Sequence, residues 1–201
     1  GFLIGEGSYD MTSGVFEGEA AGEHIDLSSL PVGISASGIV SGSGKAKGIY
    51  KEGALSLETA SGEMDGAGLS YENMAAGKAS GFGSYQDGDW HGVFYGMDLS
   101  YDGMSMDTLS GEVASRGGVM DISYLTGTSG EGAFTVKGKY GPYLSLSGEA
   151  SSIDLSGLSG LSGMDMAGRL SGRFVVSGSR EDPSGAADFT ARDGELRGIS
   201  F

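Results

Sequence analysis

The sequence contains no cysteine, and this absence excludes disulfide bonds and thiol chemistry. It has only three prolines in 201 residues and no three-residue glycine period, which excludes a collagen helix. No apolar run approaches the ~18 residues that a membrane-spanning helix needs. The first residues, GFLIGEGSYD, lack the charged and hydrophobic parts of a signal peptide, so we expect any membrane anchor or export signal to lie upstream.

Basic residues are also scarce. The chain has 12 Lys and Arg against 27 Asp and Glu, which gives a formal net charge of −15. Such a chain repels nucleic-acid phosphates, so we do not expect a nucleic-acid partner.

The residues that usually carry catalysis or bind metals are few. His24 and His91 are the only histidines, and neither lies in a metal-ligand spacing. The segment GSGKAKG lacks the spacing and the hydroxyl residue of a phosphate-binding loop, and no nucleophile-elbow motif is present. The acidic residues between positions 17 and 26 match no calcium-binding pattern. We therefore predict that the protein is not an enzyme and uses neither cofactor nor metal.

Glycine is abundant, with 40 residues, about a fifth of the chain where ~7% is usual. Apolar residues and glycines alternate with polar ones, most regularly between residues 164 and 176. Because successive side chains of a strand point to opposite faces, this period of two predicts a strand with one apolar side. A second strand follows around residues 187–191, and the Asp-Gly pair at 193–194 predicts a hairpin turn.

The same alternation recurs along the whole chain. Asp-Gly pairs at residues 65–66, 87–88 and 102–103 predict further hairpin turns between short strands. Consecutive strands joined by short glycine-rich turns are typical of an antiparallel meander, so we predict an all-β fold.

An internal repeat divides the chain. The segment GEAAGEHIDLSSL at residues 18–30 matches GEASSIDLSGL at residues 148–158. A strand with glycines four apart follows each copy: Gly38 and Gly42 in the first, Gly168 and Gly172 in the second. We predict two related β-modules, residues 1–147 and residues 148–201, in one continuous sheet. The IDLS elbow of each copy forms either a short helical turn or an extended connector.

Residues 153–198 contain, in order, IDLSGL, an alternating G-x-L-x-G-x-F strand, S-G-S-x-x-D-P, an A-x-F-x-A strand and D-G-E-L-R-G. This order resembles the TamB/AsmA-like family of bacterial envelope proteins, which are bridge-like lipid transfer proteins. The glycine-rich meander fits that family over most of the chain. The resemblance implies an open, twisted antiparallel sheet, elongated and curled like a taco shell (a β-taco), with an apolar concave face.

The resemblance also implies a location and a function. It implies a segment of a protein that spans the periplasm of a Gram-negative-type bacterium and carries phospholipid acyl chains between the inner and outer membranes. Such lipid transport supports outer-membrane biogenesis. An inner-membrane anchor and an outer-membrane barrel partner would lie outside these residues.

The predicted groove is lined by apolar side chains, among which methionine can adapt its shape to different acyl chains. The predicted lining consists of Val93, Tyr95, Met97, Leu99, Phe134, Val136, Met164, Met166, Leu170, Phe174 and Val176. The same residues could instead form the dry core of a closed sandwich or barrel, as in a glycine-rich structural or adhesin-type module without a ligand. The two alternatives differ in whether the apolar face meets open space or a second sheet.

Overall fold

The structure is a computed structural model that describes residues 1–29, 35–156, 166–196 and 199–200. These residues form one 13-stranded sheet in which each strand pairs with the next along the chain. Every pairing is antiparallel. The strands are β1 (Phe2–Tyr9), β2 (Val15–Asp26), β3 (Ala36–Lys51), β4 (Ala54–Tyr71), β5 (Met74–Gln86), β6 (Asp89–Tyr101), β7 (Met104–Arg116), β8 (Val119–Ser129), β9 (Gly132–Tyr140), β10 (Tyr143–Asp154), β11 (Met166–Ser179), β12 (Pro183–Leu196) and β13 (Ile199–Ser200).

The sheet is open, because β1 pairs only with β2, and β13 pairs only with β12. The prediction of an all-β antiparallel meander is therefore confirmed. A short 3-10 helix, Leu27–Ser29, follows β2. None of the helical segments in the described ranges is long and apolar enough to cross a membrane.

Two-residue hairpin turns join neighbouring strands at two of the four predicted Asp-Gly pairs. The φ angles are 51° and 96° at Asp87 and Gly88, and 49° and 86° at Asp102 and Gly103. Two successive positive φ angles define a type I′ turn, whose twist matches that of the flanking strands. The predicted hairpin turns at residues 87–88 and 102–103 are confirmed.

The other two Asp-Gly pairs do not turn the chain. Asp65 lies in the middle of β4, where it pairs with Ser41 of β3 and Ser80 of β5. Asp193 has a φ of 51°, but the chain continues through it as part of β12, and a register shift against β11 lies close by. The prediction of turns at residues 65–66 and 193–194 is wrong, because an Asp-Gly pair permits a turn without forcing one.

The two copies of the sequence repeat adopt the same backbone geometry. In the first copy the N–H of His24 donates to Oγ of Ser41 at 3.0 Å. In the second copy the N–H of Ser152 donates to Oγ of Ser171 at 2.8 Å. Both donor residues have positive φ, 53° and 52°, and each lies at a register shift between its strand and the next. The repeat is thus one of structure as well as sequence.

The IDLS elbow of the first copy turns into the 3-10 helix Leu27–Ser29, which is the helical form of the two predicted. In the second copy, residues 157–165 lie outside the described residues. The predicted module boundary between residues 147 and 148 falls inside β10, and β10 pairs with a strand on each side.

The sheet buries its own backbone and hardly any side chains. No hydrophobic or polar side chain in the described part of the chain is fully buried. The residues that are buried there are Gly14, Gly22, Gly48, Gly96, Gly111, Gly127, Gly132, Gly141, Gly148 and Gly194. The apolar side chains therefore lie on sheet faces that the described residues leave uncovered.

Candidate apolar binding surface

The register of the strands gives the sheet one apolar face and one polar face. Residues directly opposite each other in neighbouring strands point to the same side, so a row of paired residues marks one face. The central row of the apolar face is Gly5, Ala20, Gly44, Gly62, Gly83, Gly92, Val113, Ile122, Gly138, Leu146, Val176 and Gly185. The adjacent row on the polar face is Glu6, Glu19, Lys45, Ser61, Ser84, His91, Ala114, Asp121, Lys139, Ser145, Ser177 and Ser184.

Phenylalanine rings on the apolar face lie against glycines of the neighbouring strand. A methyl group at Gly111 would come within 2.7 Å of Cζ of Phe94, and one at Gly148 within 2.5 Å of Cε1 of Phe174. The rings thus occupy the space that a glycine leaves free, which brings them down onto the backbone. The directly opposed pairs are Phe16 with Gly48, Phe94 with Gly111, Phe134 with Gly127, Phe174 with Gly148 and Phe189 with Gly172.

Bulky aliphatic side chains cover other glycines near the C-terminal ends of β4 and β6. Leu69 follows Gly68, which has a φ of 59°, and its side chain lies over Gly66. Leu99 follows Asp98, which has a φ of 52°, and lies over Gly96 in the same way. A left-handed residue therefore turns the next side chain back onto the apolar face.

A large hollow of the apolar face extends from β1 to β6 and has a volume of about 910 Å³. Its large apolar-face side chains are Phe16, Tyr85 and Trp90. Polar-row residues also border it, namely Glu6, Glu19, Lys45, Ser61, Ser84 and His91. Its small lining residues are Gly5, Gly7, Gly18, Ala20, Gly44, Ala46, Ala60, Gly62 and Gly83. A second hollow of about 560 Å³ adjoins it and shares Gly62 and Gly83. Its apolar-face side chains are Met64, Phe94, Leu99 and Leu109.

The strand register places most of the predicted lining residues on the apolar face. The residues it brings together there are Leu99, Phe134, Val136, Leu170, Phe174 and Val176. Met166 is the first residue of β11, and Met164 lies outside the described residues.

The strand register places Val93, Tyr95 and Met97 of the predicted lining on the polar face, and Val93 and Tyr95 also border the second hollow. Val93 is directly opposite Glu112, and Met97 is directly opposite Lys78 and Thr108. The apolar-face residues of β6 are their neighbours Gly92, Phe94 and Gly96. Both faces of this strand are apolar in sequence, so alternation alone does not distinguish them.

The sequence interpretation missed the residues around the large hollow, because half of them are glycine or alanine and offer no large apolar side chain. A usable signal was nevertheless present. A two-residue turn at Asp87 and Gly88 places residue 83 opposite residue 92. Following glycines through such hairpins would have identified the central row from β3 to β6.

The polar face carries scattered charges and hydroxyl groups that do not assemble into a reactive site. His91 and Glu112 are 3.1 Å apart, between Nε2 and Oε1, and Lys47 lies 3.8 Å from Glu58. No group of three or more His, Cys, Asp or Glu side chains within the described ranges is placed to hold a metal ion.

The carboxylates of both elbows have lowered pKa values. Oγ of Ser28 donates to Oδ1 of Asp26 at 2.7 Å, and the N–H of Ser28 donates to the same oxygen at 3.0 Å. These bonds, the hydroxyl bond first, lower the pKa of Asp26 below its ordinary value of 3.8. The hydroxyl and N–H of Ser156 lower the pKa of Asp154 in the same way. Through these hydrogen bonds, both carboxylates stabilise the turn of their IDLS elbow.

No family model, curated protein or solved structure matches the chain.

Proposed function

We propose that the apolar face binds phospholipid acyl chains and that the chain is a segment of a conduit for lipids between the inner and outer membranes. The observation that carries this proposal is an apolar face extending across the sheet without a covering layer in the described residues. The proposed setting is the periplasm of a Gram-negative-type bacterium, with the sheet curled so that the apolar face is concave.

The dimensions of the central row between β1 and β6 suit a hydrocarbon chain. Neighbouring strands lie about 4.8 Å apart, so the row from Gly5 in β1 to Gly92 in β6 extends about 24 Å. It consists only of glycine and alanine, so a chain can lie directly on the backbone. Beyond Gly92 the row continues with Val113 and Ile122.

The energetics favour hydrocarbon over water on this face. Twelve methylene groups leaving water gain about 10 kcal/mol, and a chain that lies on an open face with one side covered gains about half of that. This interaction has no directional requirement, so a chain can slide along the row. Passive movement of this kind needs no reacting group.

The rival function is a structural or adhesin-type module, in which the apolar face would pack against another protein layer. Within the described residues the sheet forms no closed core, since no apolar side chain is fully buried. A closed module would therefore need a second sheet from elsewhere. The lipid proposal needs only the face as it stands.

Site-specific photo-crosslinking tests the proposal with neighbouring residues as matched controls. A photoreactive amino acid at Phe94 or Phe174 projects from the apolar face, whereas one at Val93 or Val175 projects from the polar face of the same strand. With the chain expressed in the periplasm of a Gram-negative host, we expect phospholipid adducts from the first pair only, detected by mass spectrometry. Protein adducts without lipid from Phe94 and Phe174 would support the rival function. Equal lipid labelling from both faces would contradict the proposal.

A further inference from the structure

A hollow of the polar face lies on the opposite side of the sheet from the apolar face. It crosses β8 to β12 and has a volume of about 610 Å³. A row of directly opposed residues, one from each of these strands, runs through it. The row is Thr126, Thr135, Glu149, Arg173 and Asp188. A molecule bound here would lie on the other side of the sheet from a bound acyl chain, so this site is independent of the lipid proposal.

The charged groups of the row have no ion-pair partner within the described residues. Arg173 lies directly opposite Glu149 on one side and Asp188 on the other. None of the ion pairs within the described ranges includes any of these three side chains. Because all three residues are exposed, their charged groups are available to a ligand.

The hydroxyl groups of the row are also available. Thr126 and Thr135 are directly opposite each other, but in the described part of the chain their side chains form no hydrogen bond. Elsewhere on the same face Thr108 and Thr128 do form one, with their Oγ1 atoms 2.7 Å apart. Each free hydroxyl can donate one hydrogen bond and accept two.

The charges of the row define the class of ligand. Two carboxylates flank one guanidinium group, so Glu149 and Asp188 would repel an anion and Arg173 would repel a cation. A neutral molecule with many hydroxyl groups can instead donate to the carboxylates and accept from the guanidinium group. Hydrogen bonds to charged groups are stronger than those between neutral groups. The row therefore favours a polyhydroxy ligand, which is the chemistry of a carbohydrate.

An exposed aromatic side chain lies beside the row. Tyr124 is 39% exposed and lies directly opposite Glu112 on the polar face, two residues before Thr126. A sugar ring has an apolar face of C–H groups, which an aromatic ring can cover. We propose that this hollow binds a neutral glycan strand, with sugar hydroxyl groups along the row and one sugar ring over Tyr124. The row crosses four strand spacings, about 19 Å in all, so it can accommodate several linked sugars.

Titration of the whole chain with cellohexaose, a neutral hexasaccharide of glucose, tests the proposal. We expect changes in NMR amide shifts on β8 to β12, with the affinity measured by calorimetry. Arg173→Gln should weaken binding about tenfold, because a charged hydrogen-bond donor is lost. Thr135→Val removes a hydroxyl group at nearly constant shape and should weaken binding about threefold. Lys78→Gln is the matched control, because it removes the same charge from the polar face of β5, outside the hollow, and should leave the affinity unchanged.

Three results would overturn the proposal. The first is an absence of amide shift changes on β8 to β12 at the highest soluble concentration of cellohexaose. The second is an equal affinity of Arg173→Gln and Lys78→Gln for cellohexaose. The third is displacement of cellohexaose by a lower concentration of inorganic phosphate, which would assign the hollow to an anion. Unchanged amide shifts of each variant in β3 to β6 would separate a loss of binding from a loss of folding.

Discussion

At Gly127, a methyl group would come within 2.5 Å of Cε1 of Phe134, and no backbone atom lies as close. Gly83 has the opposite environment, since its nearest neighbour would be the carbonyl oxygen of His91 at 3.9 Å. Glycines of this sheet therefore have different roles. Some make room for a ring of the neighbouring strand, and others leave the backbone of the apolar face bare.

This difference predicts opposite effects of the same substitution. Gly127→Ala should destabilise the fold by about 1–3 kcal/mol, because the ring of Phe134 must move. Gly83→Ala should be neutral or stabilising by up to about 1 kcal/mol, because alanine restricts the unfolded chain without a clash. Urea denaturation measures both. Adding Phe134→Leu to Gly127→Ala should cost less than the sum of the two single changes, and strict additivity would contradict a contact between them.

At the scale of the secondary-structure element, the sequence was sufficient to predict a strand or turn wherever a single local pattern determined it. Alternation predicted the strands, and Asp-Gly predicted the type I′ turns at residues 87–88 and 102–103. The Asp-Gly rule failed at Asp65, and alternation left the two faces of β6 undistinguished. In the first case, pairing of the long strand β4 on both sides outweighs a local turn preference. In the second case, the polar face of β6 also carries apolar side chains, namely valine, tyrosine and methionine. Only the pairing register through the hairpin therefore identifies the apolar face.

The elbow after β2 allows a prediction about acidity. Ser28→Ala removes the hydroxyl that donates to Asp26 and should raise the pKa of Asp26 toward 3.8. Ser29→Ala is the matched control, because Oγ of Ser29 donates to the backbone carbonyl oxygen of Asp26. Carboxyl chemical shifts in an NMR titration measure the change. An unchanged pKa in Ser28→Ala would contradict the assigned bond.

The sign of the associated stability change follows from the lowered pKa. A carboxyl group with a lower pKa in the folded state stabilises the fold above its unfolded pKa. This contribution is lost as the pH falls through the folded pKa, below 3.8. We therefore expect the elbow to lose stability only in acid. The NMR chemical shifts of the Ser28 amide should report this loss.

At the scale of the whole molecule, the apolar face depends on residues with little or no side chain. Gly44, Gly62 and Gly83 contribute to the large hollow by leaving space. The space thus depends on the register of the six strands β1 to β6, and a single bulky residue can remove part of it.

Filling the hollow should reduce lipid binding without unfolding the sheet. Gly83→Leu has room at its Cβ and would extend over the hollow, whereas Ser145→Leu adds bulk to the polar face away from the hollow. We expect Gly83→Leu to weaken binding of a fluorescent phospholipid about tenfold, equivalent to the loss of contact with about two methylene groups. Ser145→Leu should have no such effect. Equal affinities in the two variants would contradict lipid binding at this hollow.

This protein buries glycine and leaves its apolar side chains exposed. Unfolding therefore exposes little additional apolar surface to water. Calorimetry of the isolated chain should therefore give a heat-capacity increment below the usual value of about 12–15 cal/mol/K per residue. Bound lipid should raise that increment, because melting would then also release hydrocarbon into water. An ordinary increment for the lipid-free chain would mean that another layer covers the apolar face in solution.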